Sequence, residues 1–166
     1  MIIGHGDIAS SLIDTNDLLF FASGVSNSAE LDDREFYREE DLLLSQDKTK
    51  HIVYFGSLCI FYSNTMYARH KRHMESLVKE KFSNYTIVRL GNIAWGKNPN
   101  TIINFLRNKI RGNQPFDIQN VYRYILGLEE FQHWMNMIPD WNCEMNLPGE
   151  FLKVEEIVRR IKKGEL

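Results

Sequence analysis

The stretch that decides the fold runs from His51 to Gly96 and holds two apolar segments with a helical pattern between them. The first is His51-Ile-Val-Tyr-Phe-Gly-Ser57, the second is Tyr85-Thr-Ile-Val-Arg-Leu-Gly-Asn92, and Tyr67-Ala-Arg-His-Lys71 lies between. Short apolar runs bounded by turn residues are typical of buried strands, and parallel strands are joined through a crossover helix. The sequence therefore predicts a strand, a helix from about Thr65 to Phe82, and a second strand.

A tyrosine and a lysine on the predicted helix indicate proton-transfer chemistry. Tyr67 and Lys71 are four residues apart, so a helix places both on one face. A lysine ammonium there lowers the pKa of the phenol, and the hydroxyl of Ser57 helps to hold a carbonyl or alcohol oxygen against it. Tyr-x-x-x-Lys alone also fits an exposed helix with a tyrosine half-buried against the sheet, so the neighbouring motifs decide between the two interpretations.

The order of the motifs resembles the extended short-chain dehydrogenase/reductase family, which includes sugar-nucleotide epimerases, dehydratases and reductases. In that family a strand ends in a serine-rich segment, the next helix carries Tyr-x-x-x-Lys and often a glutamate, and the next strand reads Arg-x-x-Asn. The matching positions are Ser57, Tyr67, Lys71, Glu75, Arg89 and Asn92. The resemblance implies that Tyr67 is the general acid/base and that Lys71 holds the nicotinamide ribose and lowers the pKa of Tyr67. It also implies that Ser57 hydrogen-bonds the reacting oxygen and that Asn92 faces the substrate.

The N-terminal segment predicts a very short strand, a glycine turn and a helix. Gly4-x-Gly6-x-x-Ala9 fits the dinucleotide fingerprint, in which the turn and the helix N-terminus approach a pyrophosphate. The alternative is a glycine-rich turn without a ligand. Asp7 would repel a pyrophosphate, so we expect its carboxylate to point away or to weaken binding. The predicted cofactor-binding positions are Gly4, His5, Gly6, Asp7, Ile8, Ala22, Ser23, Gly24, Tyr67, Lys71 and Gly91.

The N-terminal half is shorter than in a complete dinucleotide fold. Asp14-Thr-Asn-Asp17 leads at once into Leu18-Leu-Phe-Phe-Ala-Ser-Gly24, which resembles the fourth strand of the family. The second and third strand-helix units are therefore missing, and with them the acidic residue that holds the adenosine ribose. The sheet begins at its first strand, which leaves an edge that a homodimer would cover.

The remaining segments predict further helices and a late strand. Ser28 to Gln46 predicts a helix, and in the family this helix and the Tyr/Lys helix often form the dimer interface. Its inward residues are predicted to be Leu31, Phe36, Leu42 and Leu43. Its solvated face is predicted to hold Asp32, Asp33, Arg34, Glu35, Glu39 and Glu40. His70 and His73 are predicted to lie at the surface or to meet this acidic helix, rather than to bind a metal.

The C-terminal third continues the same pattern. Thr101 to Arg111 predicts a helix, and Asn142 to Pro148 resembles the late strand of the family. The last helix is predicted from an apolar stripe of Val154, Ile157, Val158 and Ile161.

The composition is that of a soluble globular protein. The chain has 166 residues, 43% of them hydrophobic and 25% charged, which suits one domain. A formal net charge of -2 gives no electrostatic reason to expect nucleic acid or an anionic membrane as a partner. No apolar run approaches the roughly 20 residues that span a bilayer. Two cysteines make no disulfide framework, and no secretory signal is visible, so we expect a cytoplasmic location.

These features predict an α/β fold with a reduced, Rossmann-like, doubly wound parallel sheet of roughly five or six strands and a small C-terminal cap. We expect one domain over residues 1–166, with substrate-side elements from about residue 97 onward. The function predicted first is an NAD- or NADP-dependent oxidoreductase or epimerase acting on a nucleotide sugar or a similar small polar substrate. The alternative is an inactive binding or structural protein that kept the scaffold, and an enzyme completed by a second subunit is a third possibility.

Overall fold

Strands and helices alternate along much of the chain. The computed structural model describes residues 1–15 and 17–166, so Asn16, in the linker before the second strand, lies outside the described residues. In chain order the elements are β1 (Ile2–Ile3), β2 (Leu18–Phe21), α1 (Asp33–Leu44), β3 (His51–Ser57), α2 (Met66–Lys81), β4 (Tyr85–Leu90), β5 (Asn92–Ile93), α3 (Ile102–Arg111), β6 (Tyr122–Leu126), α4 (Leu128–Met135), β7 (Cys143–Leu147), β8 (Glu150–Lys153) and α5 (Val154–Lys163). Short 3₁₀ turns lie at Ala9–Ser11 and Leu58–Phe61.

Five parallel strands form the central sheet, in the order β1-β2-β3-β4-β7. Pairing between β3 and β4 runs from Ile52 opposite Tyr85 to Ser57 opposite Leu90. β1 pairs with β2 and ends the sheet. The prediction that the second and third strand-helix units are missing is therefore confirmed, and the expected parallel α/β fold is correct.

Helices cover the sheet on both faces, as in a doubly wound fold. Alternate residues of β2 and β3 point to opposite sides. On one side Phe21 and Tyr54 pack with α1 and α2. On the other side Phe20 and Phe55 pack with α4, whose Phe131 is fully buried. Both faces of the sheet are buried, which explains why the sequences of β3 and β4 are continuous apolar runs.

α2 forms where the sequence predicts it. Thr65 is its N-cap, and the Thr65 hydroxyl accepts a hydrogen bond from the backbone N–H of Ala68 at 3.2 Å. Lys71, Met74 and Val78 lie on the buried side. The helix therefore carries its two functional candidates, Tyr67 and Lys71, within its first two turns.

The glycine turn does not lead into the predicted α-helix. Ala9–Ser11 is a three-residue 3₁₀ turn, followed by extended backbone at Leu12. The Asp7 carbonyl, which an α-helix would use, accepts hydrogen bonds from the hydroxyls of Ser10 and Ser11 at 3.1 and 2.7 Å. Such local side-chain bonds compete with helix formation.

α1 also begins later than predicted, at Asp33 instead of Ser28. The Glu30 carboxylate accepts hydrogen bonds from the N–H groups of Leu31 and Asp32, both at 3.0 Å, and Asp32 then caps the helix. These contacts hold residues 30–32 in a non-helical turn. Leu31, predicted to face inward, is 74% exposed.

The predicted C-terminal cap is a three-stranded sheet in the order β5-β6-β8 with two helices packed on it. β5 and β6 are parallel, and β6 and β8 are antiparallel. Ile103 of α3 and Ile157 of α5 meet Ile125 of β6 in one apolar cluster. This unit lies beside the carboxyl ends of the central strands, because β5 follows β4 after one residue. Among the described residues, no helix is both long and apolar enough to cross a membrane.

Candidate functional site

A cleft of about 1410 Å³ lies at the carboxyl ends of the central strands. Open α/β sheets bind ligands at this edge. Its lining includes every predicted site residue except Gly4, namely His5, Gly6, Asp7, Ile8, Ala22, Ser23, Gly24, Ser57, Tyr67, Lys71, Gly91 and Asn92. The fold thus brings together residues that are up to 87 positions apart in sequence, from His5 to Asn92.

Ser57 and Tyr67 lie together on one wall of the cleft. Ser57 is the last residue of β3, and its hydroxyl accepts a hydrogen bond from the backbone N–H of Cys59 at 3.3 Å. Tyr67 is half-buried in the first turn of α2. Burial raises the pKa of Tyr67 above its usual value, and the nearby Lys71 ammonium and Ser57 hydroxyl only partly offset this. Lys71 thus acts on the tyrosine pKa in the predicted direction, but burial outweighs it and the net shift is upward.

Lys71 is buried behind Tyr67, with its side chain 3% exposed. Its ammonium donates to Glu39 Oε1 at 2.9 Å, to Glu39 Oε2 at 3.2 Å and to the Tyr54 hydroxyl at 3.2 Å. An ammonium has three donors, so all of them are used inside the protein. Burial opposes its charge, but the Glu39 carboxylate raises the pKa of Lys71 above its usual value.

Glu39 is a buried charged residue next to the candidate site that sequence reasoning missed. It was predicted to lie on the solvated face of α1, yet its side chain is fully buried. Besides Lys71, it accepts hydrogen bonds from Val25 N at 2.7 Å and from the Tyr54 hydroxyl at 2.8 Å, and it contacts His70 Nε2 at 3.0 Å. Burial alone would raise the pKa of Glu39, but Lys71 and these hydrogen bonds bring it well below its usual value.

The spacing of α1 contains the signal that identifies Glu39. Phe36 and Leu43, the two apolar residues that the helix buries, stand three residues before and four residues after it. Residues at such spacings share one helical face, so Glu39 faces the core with them.

The prediction that His70 and His73 meet the acidic helix is confirmed, because His73 contacts Glu40 at 3.1 Å.

The glycine turn lies against the end of β2. Gly4 has φ +122°, and a Cβ there would be 2.4 Å from the Ala22 carbonyl oxygen, so glycine is required. A Cβ at Gly6 would meet no atom within 4 Å. The backbone at Gly6 is therefore open to a ligand.

Asp7 ties the glycine turn to the loop after β5. Its carboxylate accepts hydrogen bonds from the backbone N–H groups of Lys97 at 3.0 Å and Asn98 at 2.9 Å. The Asp7 carbonyl also accepts the indole N–H of Trp95 at 3.3 Å. The Asp7 carboxylate is thus hydrogen-bonded to the backbone of the loop after β5.

Two polar segments that the sequence prediction left out also line the cleft. They are Val25 to Ala29, directly after β2, and Asn98 to Ile102, at the start of α3. The Asn98 amide donates to the Ser26 hydroxyl at 3.1 Å, which joins the two segments. Their serine- and asparagine-rich composition after a buried strand is the signal that marks them, because strand ends in parallel sheets carry binding loops.

Gly91 and Asn92 shape the opposite wall. A Cβ at Gly91 would be 2.4 Å from the Pro148 carbonyl oxygen, so the close approach of two chain segments requires glycine. The Asn92 amide donates a hydrogen bond to the Tyr124 carbonyl at 2.9 Å. Arg89 does not line the cleft, because it is buried in an ion pair with Glu75 at 2.7 Å.

The fit to a nicotinamide dinucleotide differs between the two ends of the cleft. The small residues Ala22 and Gly24 line the same cleft as Tyr67, and this leaves room there for a flat ring and a sugar. At the edge of the sheet, β1 has no neighbouring strand among the described residues, so none of them supplies from such a strand the acidic ribose ligand of a complete dinucleotide fold. Within the described residues, no three His, Cys, Asp or Glu side chains are grouped to hold a metal ion.

No protein-family model matches the chain, and a search of curated proteins finds no match. Solved structures do match. The Bordetella bronchiseptica enzyme WbmG in complex with NAD and UDP superposes with a TM-score of 0.68 at 12% identity, over 90% of this chain and 56% of that protein. UDP-N-acetylglucosamine 4-epimerase from Methanobrevibacter ruminantium gives 0.66 at 14% identity, over 95% of this chain and 63% of that protein.

A third match is dTDP-glucose 4,6-dehydratase from Bacillus anthracis in complex with NAD, with a TM-score of 0.69 at 10% identity. It covers 89% of this chain and 56% of that protein. This chain thus spans less than two thirds of the length of the three proteins, and at these identities the likeness shows the fold. The resemblance noted in the sequence is confirmed at that level: the chain has the Rossmann-like fold of the NAD-dependent epimerases and dehydratases, in a shortened form.

Proposed function

We propose that this chain is an NAD(P)-dependent enzyme of the epimerase or reductase type, acting on a nucleotide sugar or a similar small polar carbonyl or alcohol compound. One observation carries the proposal: Ser57, Tyr67 and Lys71 meet at one cleft with the glycine turn and the end of β2. The chemistry of this set supports it, because a phenol, a hydroxyl and an ammonium move and hold a proton. The proteins of the same fold that were crystallised with NAD and UDP favour the same ligand classes.

The proposed chemistry assigns one role to each side chain. The nicotinamide cofactor, when bound, would supply or accept the hydride at the substrate carbon. Tyr67 would exchange the proton at the substrate oxygen, and the Ser57 hydroxyl would hydrogen-bond the same oxygen. Since burial raises the pKa of Tyr67, its phenol keeps its proton at neutral pH, which is the form that a proton donor needs.

The cofactor would be held mainly at its nicotinamide end. The glycine turn at Gly6 would border the pyrophosphate, and Ala22 to Gly24 with Gly91 would border the rest. Lys71 would hold the ribose only by exchanging one of its present hydrogen bonds, because its three donors are used. Ribose binding therefore competes with Glu39 and Tyr54 for the ammonium.

A screen of nucleotide sugars tests the proposal. UDP- and dTDP-hexoses would be incubated with the protein and either NAD or NADP, and the products separated by chromatography and identified by NMR. A new isomer or reduced sugar that depends on the protein supports the proposed function. Products absent from every combination, with a folded protein, would contradict it.

A second candidate is a binding protein without catalysis, and one specific feature favours it. The glycine turn ends in a three-residue 3₁₀ turn, so the helix N-terminus that meets a pyrophosphate in the fingerprint is missing. Such a protein would bind the nucleotide sugar without needing a dinucleotide. Calorimetric titration with UDP-sugars in the absence of cofactor, compared with the same titration at saturating NAD, separates the two candidates.

An enzyme completed across the edge of β1 by a second subunit would bind cofactor only in the assembled complex.

A further inference from the structure

A buried ion pair lies directly behind Tyr67 and joins α1 to α2. The Lys71 ammonium has three acceptors, two of which are the oxygens of Glu39, at 2.9 and 3.2 Å. This full set of bonds fixes the ammonium in one place, 5.7 Å from the centre of the Tyr67 ring. Gly24 makes the arrangement possible, since a Cβ there would be 2.7 Å from the ammonium. Lys71 and Gly24 line the cleft, and Glu39 lies behind them, fully buried.

The carboxylate changes what the ammonium does to Tyr67. A positive charge near a phenol favours the phenolate, and a negative charge opposes it. Lys71 therefore lowers the pKa of Tyr67, and Glu39 raises it. A lysine without this partner would act on the phenol with its whole charge. The Glu39 carboxylate is held beside Lys71, because it has no exposed surface and four groups contact it.

We propose that Glu39 is a positioning residue of the site, which fixes Lys71 behind Tyr67 and offsets its charge so that Tyr67 acts as a proton donor. The inference rests on the proposed role of Tyr67 as general acid/base. In the step itself the phenol O–H bond breaks and the proton bonds to the substrate oxygen, which would gain the electron pair of the C=O bond as hydride from the reduced cofactor adds to the carbon. The phenolate later takes a proton from solvent. Glu39 touches neither substrate nor the reacting atoms, so it acts through Lys71.

The other groups that face Tyr67 carry no charge in this step. Ser57, at the end of β3, is a neutral hydroxyl. Burial raises the pKa of the Cys59 thiol in the following 3₁₀ turn, so the thiol stays protonated. Burial, followed by the charge of Glu39, raises the pKa of Tyr54 well above its usual value. Among the described residues, burial has the largest effect on the pKa of Tyr67, and Lys71 and Glu39 are the charged groups that act on it as well.

Titration of the Tyr67 phenol in the protein without ligand tests the inference. Phenolate absorbance is followed against pH, and the curve of a Tyr67→Phe protein in the same background is subtracted to remove the other tyrosines. We expect Glu39→Gln to lower the pKa of Tyr67 by about one unit or more, because the opposing charge is gone. A smaller shift, no shift or a rise would overturn the proposal.

Glu40→Gln is the matched control. Glu40 is the next residue of α1 and also contacts a histidine of α2, His73, at 3.1 Å, but at the surface. We expect this variant to leave the pKa of Tyr67 unchanged. A shift as large as that of Glu39→Gln would mean that any lost acid on α1 acts on Tyr67, which overturns a specific role for Glu39.

A double variant decides the question if Glu39→Gln does not fold. Glu39→Gln with Lys71→Met leaves no unpaired buried charge, and such replacements of an ion pair are tolerated. If Glu39 offsets Lys71, the two losses largely cancel, and the pKa of Tyr67 rises by less than about one unit. A larger rise would show Lys71 acting on Tyr67 with its charge uncompensated. Because no cofactor or substrate is present, the result is independent of the nucleotide-sugar screen.

Discussion

Both carboxylate oxygens of Glu39 accept a hydrogen bond from the Lys71 ammonium, at 2.9 and 3.2 Å, and both side chains are buried. The contact crosses from α1 to α2 and connects the helix that follows β2 to the helix that carries Tyr67. Removing one partner of a buried ion pair destabilises a protein strongly, whereas replacing both partners together often does not. The site and the stability of the fold therefore depend on the same two residues.

Replacing Lys71 alone should destabilise the protein strongly. Lys71→Met leaves the Glu39 carboxylate buried without its ammonium, and we expect a loss of about 3–5 kcal/mol in the free energy of unfolding. The double variant Glu39→Gln with Lys71→Met should lose less than Lys71→Met alone. Urea unfolding followed by tryptophan fluorescence measures both.

Lys79→Met serves as the control for that measurement. Lys79 lies on the same helix and pairs with Glu144, but both side chains are partly exposed. A surface pair contributes about 0–1 kcal/mol, so the loss should be small. Equal losses for Lys71→Met and Lys79→Met would contradict the importance of the buried pair.

Acid should weaken the fold through Glu39. The pKa of Glu39 is lowered in the folded protein from its usual value of 4.5, so the unfolded chain binds the proton more readily. The stabilisation is complete above pH 4.5 and is lost as the pH falls further towards the lowered pKa. Between about pH 7 and about pH 3.5, the wild type should lose at least about 1.4 kcal/mol more than the double variant that lacks both charges. Parallel urea curves for the two proteins at both pH values check this, and equal losses would exclude Glu39 as the cause.

Two glycines that line the cleft should respond differently to alanine. A Cβ at Gly24 would be 2.7 Å from the Lys71 ammonium and 2.9 Å from Glu39 Oε1, both held by the ion pair. We expect Gly24→Ala to cost about 1–3 kcal/mol of stability. A Cβ at Gly6 meets nothing within 4 Å, so Gly6→Ala should stay within about 0.5 kcal/mol of the wild type. Thermal unfolding compares them, and an unaffected Gly24→Ala would show that the ion pair moves freely.

Tyr67→Phe should remove turnover and leave cofactor affinity nearly intact. The change deletes the phenol O–H and keeps the ring, and loss of a general acid costs about 10²–10⁴-fold in rate. The assay is product formation from the nucleotide sugar that the screen identifies. Tyr62→Phe is the matched control, because Tyr62 also lines the cleft but is 65% exposed. Turnover that survives in Tyr67→Phe would remove Tyr67 from its assigned role.

The sequence predicted the elements that local pattern decides. β3, α2 and β4 follow from two apolar runs and a helical stripe, and Thr65 marks the start of α2. The missing strand-helix units were also visible, because too few residues separate Gly4 from β2. The cleft residues then followed from the rule that ligands bind at the carboxyl ends of parallel strands.

The features that sequence reasoning missed depend on contacts between distant segments. Glu39 was assigned to solvent because acidic residues surround it, and its burial depends on Lys71, 32 residues further on. The 3₁₀ turn after Gly6 depends on an indole from Trp95 and two serine hydroxyls that occupy the Asp7 carbonyl. The β5-β6-β8 sheet likewise pairs strands across long connections. Local propensity contains none of this information.

Direct titration with NAD, NADH, NADP and NADPH tests the central claim, that the cleft binds a nicotinamide dinucleotide. The indole of Trp95 donates to the Asp7 carbonyl in the glycine turn, so tryptophan fluorescence reports binding beside calorimetry. We predict saturable micromolar binding of one cofactor pair by the wild type, weakened about tenfold in Gly6→Ala. No binding of any of the four up to millimolar concentration, with the protein folded, would contradict the account.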